Sequence, residues 1–333
     1  MDFMETIKQK ARAGKKTIVM PESFEIRNLK AASRLLKDGL VNVALIGAKD
    51  AITAKAAELD KNIDVSGAVF IDPLNDPDMG RYIQTLAELR KSKGMTEEEA
   101  EKLLKGDPLY LGVMLVKCGA ADGMVSGAVH STADTIRPSL QILKTAPGVK
   151  LVSSFFMMIV PDCDMGADGV FLFADSGLVQ NPSPEELAAI AQSSAKSFKQ
   201  LTGVEPVVAM LSHSTKGSAR HPDVDKVVEA TRLAKAAAPE LLIDGELQLD
   251  AAIVGSVGQS KAPGSPVAGR ANVLIFPDLD AGNIGYKLTQ RLAKAEAYGP
   301  LTQGIAKPVN DLSRGCSWED IVGVALITAA QCE

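Results

Sequence analysis

The order of apolar and polar positions changes period repeatedly along the chain. Thr17, Ile18, Val19 and Met20 make a short run suited to a buried strand, stopped by Pro21. Residues 25–37 then carry apolar side chains at helical spacing, and Val43, Ala44, Leu45 and Ile46 form a second strand-like run. This is a β-α-β unit. A helix from Ala51, a strand over 68–71 and a helix over 78–91 extend it, so the pattern predicts a mostly parallel sheet covered by helices, an α/β protein.

Two helices split near Gly106 to Pro108 are expected between Thr96 and Lys117. Within 121–132 a short strand then runs into small residues, and Ser131 or Thr132 is placed to cap a following helix. Exposed N–H groups at such a helix start favour an anion, although many junctions of this form bind nothing. Pro138 is expected to kink or shorten that helix. After Ala146-Pro147-Gly148, the apolar runs 151–160 and 169–174 predict a hairpin and therefore a mixed sheet. Helices over 185–201 and 223–238, strands over 207–211, 241–244 and 273–276, and a helical run from Gln248 follow. A long helix is expected from Leu279 to Tyr298, ended by Gly299-Pro300. Residues 310–315 carry turn formers and read as a loop, with Ser317 capping a last helix and Asp320 three places on.

Composition narrows the class. The 333 residues are enough for two domains with sizeable cores, and 46% hydrophobic with 23% charged residues is ordinary for a globular protein. Aromatics at 4% leave few rings for stacking on single strands, and a net charge of −5 argues against a broad cationic surface, so no nucleic-acid partner is expected. Cys118, Cys163, Cys316 and Cys332 show no C-x-x-C spacing, and with three histidines no zinc site is expected. Cys163 and Cys316 are open to two readings, nucleophile or inert buried thiol. Residues 1–16 are amphipathic without the apolar core of a signal peptide, and the longest apolar run, near 155–160, is too short to cross a bilayer. A reduced cytoplasmic protein with no membrane partner is the expectation.

The densest chemistry lies near the C-terminus, where Asp311, Ser313, Arg314, Gly315, Cys316 and Asp320 offer carboxylates, a hydroxyl, a guanidinium, a thiol and a flexible link. Asp320 at the third helical position is more often a cap than a base, whereas Arg314, between Ser and Gly, fits no helical salt-bridge pattern. Arg137, five or six residues beyond Ser131 and Thr132, is near enough to add a bidentate contact to an anion held there. Arg90, near a helix C-terminus, reads from its position alone more as a solvated cation opposing the helix dipole than as a ligand contact. His213 sits in the polar loop 212–218 beyond a strand end, as an acid or base or as an ordinary exposed histidine. Gly264 and Gly269 approach a P-loop, but Arg270-Ala271 stands where Lys-Ser/Thr is required. There is no G-x-G-x-x-G and no G-x-S-x-G, so P-loop, Rossmann and nucleophile-elbow chemistry lack support.

Several stretches together resemble phosphate acetyltransferase (phosphotransacetylase). They are Asp122-Gly-Met-Val-Ser-Gly-Ala-Val-His130 with Asp134-Thr-Ile-Arg-Pro138, Phe171-Leu-Phe-Ala-Asp-Ser-Gly177 and Ser214-Thr-Lys-Gly-Ser218. Asp244-Gly-Glu-Leu-Gln-Leu-Asp250, Lys261-Ala-Pro-Gly-Ser-Pro-Val-Ala-Gly269 and Phe276-Pro-Asp-Leu-Asp-Ala-Gly-Asn283 continue the match, and Ala295-Glu-Ala-Tyr-Gly-Pro300 and Asn310-Asp-Leu-Ser-Arg-Gly-Cys316 complete it. The resemblance implies reversible acetyl transfer between acetyl-CoA and inorganic phosphate, giving acetyl phosphate and CoA. It implies two α/β domains of the isocitrate/isopropylmalate dehydrogenase-like type with an interdomain cleft, a homodimer, CoA and acetyl-CoA as substrates, and no tightly bound cofactor or metal. By analogy the domains are 1–146 with 306–333, and 147–305. It assigns Asp320 as the base for the CoA thiol, Arg314 as the group that polarises the acetyl carbonyl and holds phosphate, and Ser313 as a stabilising hydroxyl. Arg90 and Arg137 match CoA- or phosphate-interacting arginines, and Ser131, Thr132 and Tyr298 are taken as further substrate contacts. Trp318 departs from the small or polar residues usual at that helix start.

Three other readings are distinguishable. Transfer of a longer acyl group such as butyryl differs in acyl-CoA preference. A silent regulatory module of the same fold is opposed by the complete Ser313, Arg314 and Asp320 set. NAD-dependent oxidation lacks nucleotide and metal-carboxylate motifs.

Overall fold

The computed structural model of the chain describes residues 2–332. In chain order its elements begin α1 (Phe3–Gly14), β1 (Thr17–Met20), α2 (Ile26–Asp38), β2 (Asn42–Ile46), α3 (Lys49–Leu59) and β3 (Val69–Ile71). Next come α4 (Met79–Arg90), α5 (Glu97–Gly106), α6 (Pro108–Cys118), β4 (Gly123–Ser126) and α7 (Thr132–Ile142). A second stretch holds β5 (Ser153–Ile159), β6 (Val170–Ala174), α8 (Pro184–Thr202), β7 (Val207–Leu211), α9 (Pro222–Ala237), β8 (Leu242–Leu247), α10 (Leu249–Ile253), α11 (Gly255–Lys261), β9 (Val273–Ile275), α12 (Leu279–Leu292) and β10 (Glu296–Gln303). The chain closes with β11 (Val309–Asp311) and α13 (Trp318–Gln331). Two compact units result, 4–146 with 305–332, and 147–304 with 2–3.

The unit containing both β1 and β11 is built on a five-stranded parallel sheet in the order β11-β4-β1-β2-β3. Val19, Met20, Ala44, Leu45, Met124 and Val125 are all buried, as expected for strands covered on both faces. From β1 the chain steps to β2 and β3 on one side, then to β4 and β11 on the other. The reversal between β1 and β4 is a topological switch point, and in open α/β sheets ligands bind beyond the carboxyl ends of the strands at such a point.

The strand β11 is absent from the sequence reading, which took 310–315 as loop. Asn310 and Asp311 are polar, yet they are 0% and 2% exposed. Asn310 Nδ2 donates to Thr328 Oγ1 and Gln331 Oε1, both at 2.7 Å, so α13 supplies the partners that let a polar residue occupy a buried strand.

The other unit carries a six-stranded mixed sheet in the order β10-β5-β6-β9-β7-β8, with β5 antiparallel to both β6 and β10. The predicted hairpin is present, and Phe155, Phe156, Met157 and Met158 are buried in it. The expected helix from Leu279 to Tyr298 stops at Leu292, and Glu296–Gln303 forms the edge strand β10. The Ala293–Ala297 sequence is a good helix former, but pairing of Ala297 with Met158 and Tyr298 with Met157 overrides that preference. Pro300 is tolerated because the strand is at the sheet edge and its register shifts between Tyr298 and Leu301.

Candidate active site

Three connections leave the carboxyl ends of β1, β4 and β11, and all three begin a helix. Ser131 caps α7 and Ser317 caps α13, each with a reciprocal capping box to Asp134 and Asp320 respectively. Pro138 lies inside α7, which continues to Ile142, so the expected shortening does not occur.

The β4–α7 loop already holds an anion of the protein's own. Glu22 Oε2 accepts the N–H groups of Gly127 and Ala128 at 3.1 and 2.9 Å, and Oε1 accepts those of Val129 and His130 at 3.0 and 3.1 Å. His130 Nδ1 lies 2.7 Å from Oε1, and because a carboxylate only accepts, that nitrogen bears the hydrogen. Burial alone would raise the Glu22 carboxyl, but the N–H of Val129, the His130 ring and the remaining loop N–H groups outweigh it and hold the pKa below its ordinary value. The N–H groups of 127–130, just ahead of the helix start, are therefore occupied. Those of Thr132 and Ala133, in the first turn of α7, have no acceptor among the described residues.

Ser131 and Thr132 also have their hydroxyls engaged. Ser131 Oγ donates to Asp134 Oδ2 at 2.6 Å, and Thr132 Oγ1 donates to Asp311 Oδ2 at 2.6 Å. Asp311 is almost fully enclosed, and its Oδ1 has no hydrogen-bond partner. Burial pushes its carboxyl up to about 6; the Thr132 and Thr135 hydroxyls oppose the shift, and the charge of Glu22 adds to it.

On the β11–α13 connection, Ser313, Arg314 and Asp320 are all exposed. The Arg314 guanidinium has neither ion pair nor hydrogen bond among the described residues. Asp320 Oδ2 accepts the Ser317 N–H at 2.8 Å, so the capping role is present, and the second carboxylate oxygen has no partner. Cys316 is buried between these groups, and its thiol is pushed up to about 11, chiefly by burial, with Arg27 opposing the shift. It is protonated at neutral pH and a poor nucleophile at rest.

Arg90 and Arg137 both act electrostatically on Tyr110. Burial raises the Tyr110 phenol, and the charges of both arginines act against that rise. Arg90 ends α4 as expected, but it is not a fully solvated cation: it is half-buried and its Nε is enclosed without a partner. Such an atom is costly unless something arrives to accept from it. Tyr298 belongs to the other unit, half-buried on β10, and its hydroxyl donates to Glu296 Oε2 at 2.6 Å. His213, also in that unit, is exposed, and Lys216, Lys235 and Ser265 there converge on buried Asp244 as a closed ionic network.

The fold thus gathers Ser313, Arg314 and Asp320 on one connection and Ser131, Thr132 and Arg137 on the next, joined by the Thr132–Asp311 bond. Sequence reasoning misses Glu22 and Arg27. Arg27 donates to the carbonyls of Arg314 and Cys316, each at 2.9 Å, and to that of Ala128 at 2.8 Å. The one local signal for Glu22 is its place directly after a strand end, at Pro21.

Comparison with known proteins gives this geometry its context. The family profile for phosphate acetyl/butaryl transferase matches residues 2–329. The chain is 61% identical over 333 residues to a phosphate acetyltransferase of Acetivibrio thermocellus, covering 100% of this chain and 99% of that one. It is similar to the solved structure of a phosphotransacetylase from Staphylococcus aureus, with a TM-score of 0.91 and 45% identity over 100% of this chain and 98% of the other. A Salmonella typhimurium structure described as a 4-hydroxythreonine-4-phosphate dehydrogenase shares the fold alone, at 12% identity and a TM-score of 0.53 over 96% of this chain and 99% of that one. A profile match over nearly the whole chain, together with this end-to-end identity, places the chain in the phosphate acetyl/butaryl transferase family, as an enzyme of the transferase class.

Proposed function

We propose that the chain transfers an acetyl group reversibly between acetyl-CoA and inorganic phosphate, giving acetyl phosphate and CoA, by direct reaction of the two bound substrates. The observation that carries this reading is the unpaired Arg314 guanidinium, exposed next to Ser313 in the chain and six residues ahead of the half-free Asp320 carboxylate.

In the direction of acetyl-CoA formation, the CoA sulfur attacks the acetyl carbonyl carbon of acetyl phosphate while Asp320 takes the thiol proton. The C–S bond forms, the C–O bond to phosphate breaks as the tetrahedral centre collapses, and phosphate leaves. A carboxylate is a far weaker base than a thiolate, so proton transfer completed before attack is uphill. Transfer coupled to attack avoids that cost. Arg314 offers parallel N–H donors to the developing oxyanion and to phosphate, and the Ser313 hydroxyl adds a further donor. Arg90, Arg137, Ser131, Thr132 and Tyr298 are the proposed substrate contacts, and the enclosed Nε of Arg90 supports an anionic acceptor there. The protonated Cys316 thiol supports direct transfer over an acyl-cysteine intermediate. The reading extends to a cytoplasmic homodimer that uses CoA and acetyl-CoA as substrates without a tightly bound cofactor; no helix among the described residues is long and apolar enough to cross a membrane.

The test is thiol release from acetyl-CoA and from butyryl-CoA, each with and without phosphate. Phosphate-dependent release, faster with acetyl-CoA, is expected. Release that ignores phosphate would sink the proposal, and faster butyryl turnover would replace acetyl by a longer acyl group.

A further inference from the structure

Between Leu312 and Ser317 the chain has few contacts of its own. Cys316 N–H donates to Ser313 O at 2.9 Å, and Gly315 N–H reaches Ser313 Oγ at 3.4 Å. The carbonyls of Arg314 and Cys316 are instead held by Arg27 Nη1, while Arg27 Nη2 holds Ala128 O on the neighbouring loop. Arg27 is itself aimed: its Nε donates to Glu25 Oε1 at 2.7 Å, and Glu25 Oε2 accepts the Asn28 N–H at 2.9 Å as the cap of α2. Glu22, on the same connection, takes the N–H groups of 127–130. One short segment after β1 therefore binds the donors of one loop and the acceptors of both.

We infer that Arg27 is a positioning residue, which sets the backbone from which Arg314 and Ser313 project and acts on the reaction through Arg314. A guanidinium suits this task because its donors form a rigid planar fork that reaches three carbonyls at once, which a single ammonium cannot match. The side chain is 25% exposed, so the fork is shielded from most of the water that would compete for those carbonyls. Displacement of a catalytic group by about 1 Å costs on the order of 100-fold in rate.

The inference rests on the acyl-transfer reading only for its kinetic arm. Hydrogen exchange tests it without any assay of activity. In Arg27→Gln, amides of residues 312–317 are expected to exchange about 10-fold faster or more, with residues 42–46 and the Pro147–Gly304 unit unchanged. In the acyl-transfer assay, Arg27→Gln is expected to lose about 100-fold in kcat with KM for CoA within about 3-fold, and Arg27→Lys to recover part of the loss. Guanidinium ion in the buffer is expected to restore Arg27→Ala at least about 10-fold. Combined with Arg314→Ala, Arg27→Gln is expected to add less than about 3-fold, because it acts through a group already removed. Unchanged exchange over 312–317 overturns the inference whatever the activity. Full multiplication of the two kinetic losses, or no response to guanidinium, overturns the route through Arg314. Absence of phosphate-dependent activity in the unmodified protein defeats the acyl-transfer reading instead, and leaves the exchange result to decide the role of Arg27.

Discussion

Replacing Glu22 by Gln takes one charge and one acceptor oxygen from a site where six donors converge. Gly127 N, Ala128 N and Asn28 Nδ2 meet one carboxylate oxygen, and Val129 N, His130 N and His130 Nδ1 meet the other. The side chain is 1% exposed, so water cannot stand in for a lost acceptor. An amide keeps one oxygen and puts NH2 in place of the second, so three donors face another donor whichever way it is flipped. At about 1 kcal/mol for each buried donor left unpaired, the expected loss is about 3 kcal/mol. For a unit of this size that corresponds to roughly 6–12 °C in Tm, read by scanning calorimetry at pH 7. Because the Glu22 carboxyl sits below its ordinary pKa, its contribution is complete above the unfolded value and is lost as pH falls through the folded one. The difference between the two proteins should therefore hold at neutral pH and shrink below about pH 4. A Tm change under about 2 °C at pH 7, or a gap that does not shrink in acid, would show that the six bonds do not hold the loop.

Four further substitutions separate structural from chemical roles. Arg314→Ala and Asp320→Asn are expected to lower kcat about 100-fold or more while Tm stays within about 3 °C, because the Asn oxygen still accepts the Ser317 N–H; near-normal kcat with a lowered Tm would leave Asp320 as a cap alone. Asp311 carries a carboxyl pushed up to about 6, so ionisation disfavours the folded state and stability should fall as pH rises from about 4 through 6, by about 3 kcal/mol. Asp311→Asn should flatten that slope in urea unfolding at pH 5 and pH 8, and an unchanged slope would place its cause elsewhere. Cys316→Ala is expected to keep kcat within about 3-fold, whereas an acyl-cysteine route would abolish turnover.

The parts of the fold that can be read along the chain are those whose cause is local. The apolar run 17–20 and the helical spacing after it give β1 and α2, and the Ser131 and Ser317 caps are readable because a capping box spans four residues. The strand β10 hides behind an alanine-rich segment whose local preference is helical and whose partner lies at Ser153–Ile159. The strand β11 hides behind Asn310 and Asp311, whose burial depends on Thr328, Gln331 and Thr132. The candidate site divides the same way. Ser313, Arg314 and Asp320 stand close together in the sequence and invite notice. Glu22 and Arg27 look like ordinary charges near a helix start, because their partners are about a hundred to nearly three hundred residues away.

The filled nest at 127–130 also bears on how phosphate is held. A loop whose N–H groups already embrace a carboxylate offers an incoming dianion repulsion rather than a cradle. On the proposed acyl-transfer reading, what remains for phosphate is the side-chain cations Arg314, Arg137 and Arg90, two of them exposed, and the free N–H groups in the first turn of α7. Exposed charges are screened by salt over about 10 Å at 0.1 M, whereas backbone donors that close on a bound ion depend on salt far less. Raising KCl from about 0.05 to 0.5 M should therefore increase KM for phosphate several-fold with little change in kcat at saturation. A KM for phosphate that stays constant over that range would mean that backbone N–H groups bind it, either those free in the first turn of α7 or those of 127–130 after displacement of the Glu22 carboxylate.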